Sequence, residues 1–151
     1  MSEPRFNSPE GSLARAARRS PPVRVLAVDD EPAIRAVFEV ALRRAGYDVV
    51  AVDRGERALA ELRAGRFDCV LLDFLIPDLR GDVIYAYAVG VQPHLAHGTV
   101  WVTGDITERT HNTLEGTGCP VLLKPFALED LLRLVGDATR NAATGLTEAT
   151  A

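Results

Sequence analysis

A stretch of ten residues, Asp68-Cys69-Val70-Leu71-Leu72-Asp73-Phe74-Leu75-Ile76-Pro77, constrains the fold more than any other part of the chain. It is an apolar run of strand length, too short for a core helix, with Gly65 before it and Pro77 closing it. A strand apolar on both sides belongs in a parallel sheet covered on both faces. The run also carries one acid, Asp73. A carboxylate in that setting is costly unless something binds it, so the question for the rest of the chain is what meets Asp73.

The flanking sequence alternates as such a sheet requires. Strands are expected at Val23–Val28, Tyr47–Val52, Asp68–Phe74, Thr99–Val102 and Pro120–Leu123. Between them lie helical patterns. The first has Pro32 at its opening turn, apolar residues from Ile34 to Ala45, and Gly46 as its stop. The second opens on Asp53 and Glu56 at capping-box spacing and closes at Gly65. Asp82–Val91 is rich in Val, Ile and Tyr, and only the alternation makes it a helix. Ile106–Glu115 has a thin apolar face and three threonines; it is expected to be mobile or to lean on a partner. The last helix carries Leu128, Leu131, Leu132 and Val135 and should begin to end at Gly136. Five strand–helix units in a row predict an α/β fold with a parallel sheet. The domain is expected at residues 23–140, between a disordered tail at 1–22 and a loose tail at 141–151.

Composition narrows the function. The net charge of −4 divides into +2 for residues 1–22 and −6 for the remainder, and an acidic body argues against direct contact with nucleic acid. No apolar run reaches membrane-spanning length, and the N-terminus has no apolar signal core. Cys69 and Cys119 read as buried core residues of a reducing cytosol, and a cytoplasmic location is expected. His94, His97 and His111 read as loop and surface residues, and Trp101 and Phe126 as packing residues. Of the 17 basic residues, Lys124 is the single lysine.

In an open parallel sheet, ligands bind at the carboxyl ends of the strands. There the chain places Asp29 and Asp30, Asp73, Thr103 and Lys124. Asp29 and Asp30 also suit the cap of the first helix, and both roles stay open on the sequence alone. Carboxylates gathered in one crevice repel one another, and a divalent cation such as Mg²⁺ relieves the repulsion through hard oxygen ligands. Lys124 supplies a compact charge for a phosphoryl oxygen or for Asp73, and Thr103 supplies a hydroxyl. This is the equipment needed by a phosphoryl group carried on a carboxylate nucleophile.

Residues 23–138 resemble the receiver domain of two-component response regulators. Four motifs carry the resemblance: Val28-Asp29-Asp30-Glu31-Pro32; Leu71-Leu72-Asp73-Phe74-Leu75-Ile76-Pro77-Asp78-Leu79-Arg80-Gly81; Val102-Thr103-Gly104; and Lys124-Pro125-Phe126. The resemblance implies a flavodoxin-like (βα)5 fold, strand order 2-1-3-4-5, with helices on both faces. It implies that Asp73 is the phosphoacceptor. Mg²⁺ would be held by Asp29, Asp30, Asp73 and the backbone carbonyl of Leu75. Thr103 would be the switch hydroxyl, Lys124 the phosphoryl-binding base, and Lys124–Pro125 a cis peptide. The switch aromatic usual in the family is replaced by Val121. Leu75 and Asp105 occupy the two positions that tune phosphoryl lifetime in the family.

The implied function is that of a single-domain receiver. It would take a phosphoryl group from phosphohistidine of a sensor histidine kinase or histidine phosphotransfer protein, and signal to protein partners in a phosphorelay by a conformational switch. A homodimer through the fourth helix, fifth strand and fifth helix is a further expectation. Two rivals remain: a degenerate receiver that only binds partners, and a phosphohydrolase with an aspartyl-phosphate intermediate. The latter would carry a second Asp where this chain has Leu75.

Overall fold

The computed structural model describes residues 21–150, with only the helical backbone described at 146–150. Residues 1–20, most of the expected N-terminal tail, lie outside the described residues. The strands are β1 (Arg24–Val28), β2 (Asp48–Val52), β3 (Cys69–Leu72), β4 (Thr99–Thr103) and β5 (Val121–Leu123). The helices are α1 (Pro32–Arg44), α2 (Gly55–Ala64), α3 (Gly81–Val91), α4 (Glu108–Glu115) and α5 (Leu128–Thr150), with a 3₁₀ turn at Pro93–Ala96 before β4. The strands form one sheet in the order β2-β1-β3-β4-β5. Every pairing is parallel, with Val28 opposite Leu72, Leu72 opposite Trp101, and Thr103 opposite Leu123.

The pleat sorts the side chains onto two faces. Leu26, Val28, Val70, Leu72 and Trp101 pack with Ala58, Leu62, Ile84 and Leu114 from α2, α3 and α4. Val25, Ala27, Cys69, Leu71, Val100 and Val102 pack with Phe38 and Leu42 of α1 and Leu131 and Val135 of α5. All four residues of β3 are fully buried, as a central strand between two helical layers requires. The Val-, Ile- and Tyr-rich α3 is helical because this packing, through Ile84 and Ala88, outweighs weak propensity. Gly46 follows α1 at φ 98°, a left-handed turn that a residue without Cβ adopts freely.

Four local expectations are corrected. The chain from 141 onward continues α5 to Thr150 rather than forming a loose tail. Gly136 does not stop the helix, because Ala138 and Ala142 beyond it are buried and hold the following turns in place. The start of α2 is not capped locally by Asp53. Its first N–H groups, from Gly55 and Glu56, donate instead to the Asp78 carboxylate at 2.7 and 2.9 Å. His94 is buried rather than superficial, its Nε2 2.6 Å from the Phe67 carbonyl oxygen.

The edge of the sheet where the strands begin is tied down by polar side chains. Gln92 accepts the Phe67 N–H at 2.9 Å and donates to the carbonyls of Leu62 and Gly65 at 2.9 and 2.8 Å. Asp68 accepts the Arg24 N–H at 2.9 Å, and the Thr99 hydroxyl donates to the Leu95 carbonyl at 2.8 Å.

Candidate functional site

The opposite edge, where β1, β3, β4 and β5 end, holds the polar residues. β1 delivers Asp29 fully buried and Asp30 exposed. β3 delivers Asp73, 6% exposed. Each of Asp29, Asp30 and Asp73 offers an oxygen within 4.8 Å of the others. Lys124 reaches them from the end of β5. Its Nζ donates to Asp73 Oδ2 at 3.0 Å and to Glu31 Oε1 at 2.8 Å, and lies 2.7 Å from Asp29 Oδ2. That last contact is an ion pair outside hydrogen-bond geometry, so Asp29 Oδ2 is buried without a hydrogen-bond donor. The other Asp29 oxygen accepts the Glu31 N–H at 2.9 Å, and Arg35 donates to the Asp29 carbonyl at 2.9 Å.

Burial shapes the electrostatics. It pushes the Asp73 carboxyl above the ordinary carboxylate range; the Lys124 ammonium opposes this and the Asp29 charge adds to it. Asp29 is raised for the same reason, with Lys124 and the Glu31 N–H opposing. For Lys124, burial favours the neutral amine, but Asp29, Glu31 and Asp73 outweigh it and the ammonium holds its proton more tightly than an ordinary lysine. The site thus gathers negative charge around one ammonium, that of Lys124.

The loop after β3 is held close. Leu75 donates its N–H to Asp73 Oδ1 at 3.2 Å, while its side chain is exposed. Gly81 donates its N–H to the Phe74 carbonyl at 2.7 Å. A Cβ at Gly81 would stand 2.6 Å from the Asp73 carbonyl oxygen and 2.9 Å from the Trp101 ring, so only glycine admits this approach. Through Asp78 the same loop caps α2.

Thr103 is buried at the end of β4. Its hydroxyl accepts the Asp105 N–H at 3.0 Å, and its carbonyl accepts the Lys124 N–H at 2.9 Å. Asp105 in turn accepts from the Thr110 hydroxyl at 2.7 Å and the Thr107 N–H at 2.9 Å, contacts that hold its carboxyl below the usual range. Thr103 is therefore joined to the start of α4 rather than to the acidic cluster. Val121 pairs with Trp101 across the β4–β5 ladder and is partly exposed. Lys124–Pro125 is a cis peptide, as expected.

Sequence reasoning missed Glu31 and Asp78. Glu31 directly follows the Asp29-Asp30 pair, and Asp78 directly follows Pro77, but what each touches lies 93 and 23 residues away.

The donor set fits Mg²⁺. It is made of hard carboxylate oxygens, and the buried Asp29 Oδ2 lacks a hydrogen-bond donor.

Known proteins share this arrangement of chain. The family model for the response regulator receiver domain matches residues 25–136. The transcriptional regulatory protein TcrA of Mycobacterium tuberculosis is 33% identical over 124 residues, covering 78% of this chain and 46% of that protein. The two-component response regulator ORR22 of Oryza sativa is 34% identical over 130 residues, covering 84% of this chain and 18% of that protein. The chain thus spans less than half the length of these two relatives. Among solved structures, chemotaxis protein CheY4 of Vibrio cholerae superposes with a TM-score of 0.69 at 28% identity, covering 77% of this chain and 98% of that one. A CheY-like receiver domain protein from Methanospirillum hungatei, 24% identical, shares the fold with a TM-score of 0.76 over 83% of this chain and 99% of that one. No helix among the described residues is long and apolar enough to cross a membrane. The match over nearly the whole folded region, on a five-stranded parallel sheet in the order 2-1-3-4-5, places this chain in the response regulator receiver family.

Proposed function

We propose that the chain accepts a phosphoryl group on Asp73 from the phosphohistidine of a sensor kinase or histidine phosphotransfer protein, and passes the signal to protein partners. The observation that carries this reading is the position of Asp73: almost buried, at the carboxyl edge of the sheet, between a lysine ammonium and two further carboxylates. In the transfer, an Asp73 oxygen bonds to phosphorus, the phosphorus–nitrogen bond of phosphohistidine breaks, and the imidazole leaves with a proton. Lys124 stands where it can neutralise a phosphoryl oxygen. Asp29, Asp30, Asp73 and the Leu75 carbonyl are the residues that would hold Mg²⁺. When bound, the ion supplies charge neutralisation between these carboxylates and the phosphoryl oxygens.

Lys124 and Thr103 are the coupling pair of this reading. The Lys124 N–H and the Thr103 carbonyl are already bonded, and the Thr103 hydroxyl is tied to the loop that starts α4. A new charge on Asp73 would draw on both and shift the two-state balance of α4, β5 and α5. With Val121 in place of a ring, the output runs through the Thr103–Asp105–Thr110 chain of contacts. The exposed Ile106, Val121, Leu123 and Leu128 belong to the surface through which a homodimer would form.

For the donor, an apolar groove of about 810 Å³ opens between α1 and α5 beside Pro125, lined by Ile34, Val37, Val40, Phe126 and Leu132. It offers a protein partner a footing next to Lys124. The location that suits these partners is the cytoplasm. The chain is read as a signalling domain rather than a turnover enzyme.

The test is incubation with Mg²⁺ and a small phosphodonor, alongside Asp73→Asn. One acid-stable, base-labile phosphoryl group per wild-type chain and none on the variant is the expected result. Absence of label and of any response to beryllofluoride leaves a receiver that only binds partners. Continuous turnover of phosphomonoesters identifies a phosphohydrolase.

A further inference from the structure

Glu31 is the residue at the site to which neither the motifs nor the reading above gives a role. It is the N-cap of α1 but makes no side-chain cap there. Its carboxylate instead turns to Lys124, at 2.8 Å. The ammonium has three N–H donors, and three carboxylates surround it: Asp29 at 2.7 Å, Glu31 at 2.8 Å and Asp73 at 3.0 Å. The lysine side chain is 12% exposed and the Glu31 side chain 57%. The three partners therefore differ in what their release costs. Asp29 is fully buried and has no water to turn to. Asp73 is the group that would be modified. Glu31 stands at the rim, where solvent can take the place of the lysine.

We propose that Glu31 is a positioning residue that holds Lys124 in the unmodified protein and competes with the phosphoryl group for it. A phosphoryl group arriving on Asp73 draws the ammonium toward itself, and of its three carboxylate contacts the one to the exposed Glu31 is the least costly to release. The carboxylate also adds negative charge at the mouth through which an anionic group must come. Removing that charge should favour the loaded state without removing any group that the loaded state needs. This inference rests on the phosphoacceptor reading of Asp73.

The chain itself supplies a clean probe, because Lys124 is its single lysine. Protein labelled with ¹⁵N-lysine carries one side-chain amine signal, and that signal comes from the site. The experiment compares wild type with Glu31→Gln, and with Glu129→Gln as a control that removes the same charge from an exposed position in the first turn of α5. Each protein is followed alone and then titrated with beryllofluoride in the presence of Mg²⁺. The expected result has two parts. The free Glu31→Gln protein shows a displaced Lys124 signal, with faster exchange of its ammonium protons. Its beryllofluoride affinity is about three-fold or more above wild type, the scale of one partly exposed ion pair. The control matches wild type in both. Unchanged or weaker affinity in Glu31→Gln, with a wild type that responds normally, overturns the role of Glu31 and leaves the phosphoacceptor reading standing. A wild-type lysine signal that ignores beryllofluoride overturns both.

Discussion

Asp73 Oδ2 and Lys124 Nζ, 51 residues apart in sequence, stand 3.0 Å apart at the ends of strands that β4 separates. The contact is not enough to offset the burial of the carboxylate, which is why the Asp73 pKa is raised rather than lowered. A raised carboxylate pKa means that the folded protein prefers the neutral form. Asp73→Asn should therefore stabilise the metal-free protein at pH 7, by about 1 kcal/mol or about 3 °C in Tm. The gain should be full above the folded-state pKa of Asp73. It should shrink as pH falls toward the ordinary carboxylate value, where wild type is itself protonated. Thermal melts of the two proteins between pH 4 and 8 with a chelator present check this (roughly the range in which buried carboxylates titrate).

Lys124→Met removes the cation and keeps most of the stem. Asp29 and Asp73 are then left as buried neighbours with no counter-charge. The loss should be about 3 kcal/mol at neutral pH, the scale for breaking one side of a buried ion pair. Both carboxylates already have raised pKa values, so proton uptake should restore part of the stability as pH falls. Added Mg²⁺ should restore it at neutral pH. Urea unfolding with and without Mg²⁺ measures both recoveries.

Asp78 replaces the missing local cap of α2 by accepting two of its first N–H groups. Asp78→Ala should cost about 1 kcal/mol, as other lost helix caps do. Burial raises the Asp78 pKa slightly, but the Glu56 and Gly55 N–H groups lower it further, so the carboxyl lies below its ordinary value. Its contribution is therefore present at neutral pH and lost as pH falls through the carboxylate range. The difference in unfolding midpoint between Asp78→Ala and wild type should vanish at low pH.

Gly81→Ala places a methyl group 2.6 Å from the Asp73 carbonyl oxygen and 2.8 Å from the Phe74 Cα, both backbone atoms. Neither can yield without moving Asp73. The expected cost is about 2–3 kcal/mol, with phosphoryl acceptance reduced in the fraction that still folds. Gly90→Ala, a site with nothing within 4 Å of the added carbon, should leave both quantities unchanged or slightly improved. Stability and labelling are measured on the same samples.

The legible parts of the fold were those written in local pattern. The apolar runs marked the strands because this sheet is covered on both faces, and the alternation required a helix over Asp82–Val91 that propensity did not. The end of α5 was hidden because Gly136 stops a helix only where nothing beyond it is buried, and Ala138 and Ala142 are buried. The acidic cluster was legible because each member sits at a strand end, and parallel strands bring their ends together. Glu31 and Asp78 were hidden for the opposite reason. Each looks like an ordinary loop or cap acid, and its partner is set by how distant loops fold over the sheet edge. His94 and Gln92 were hidden in the same way, their partners lying 27 and 25 residues back in the chain.

The Gln92 amide gives the molecule a fixed end and a free one. By gripping residues 62, 65 and 67 it clamps the exit of α3 to the approach to β3, and Asp68 and Thr99 clamp the neighbouring strand starts. The phosphoryl group proposed for Asp73 would bring its charge to the far ends of the same strands. The sheet then behaves like a fan held at its rivet. The rivet keeps the blades in register, and on the phosphoacceptor reading any movement that follows modification of Asp73 belongs at the rim.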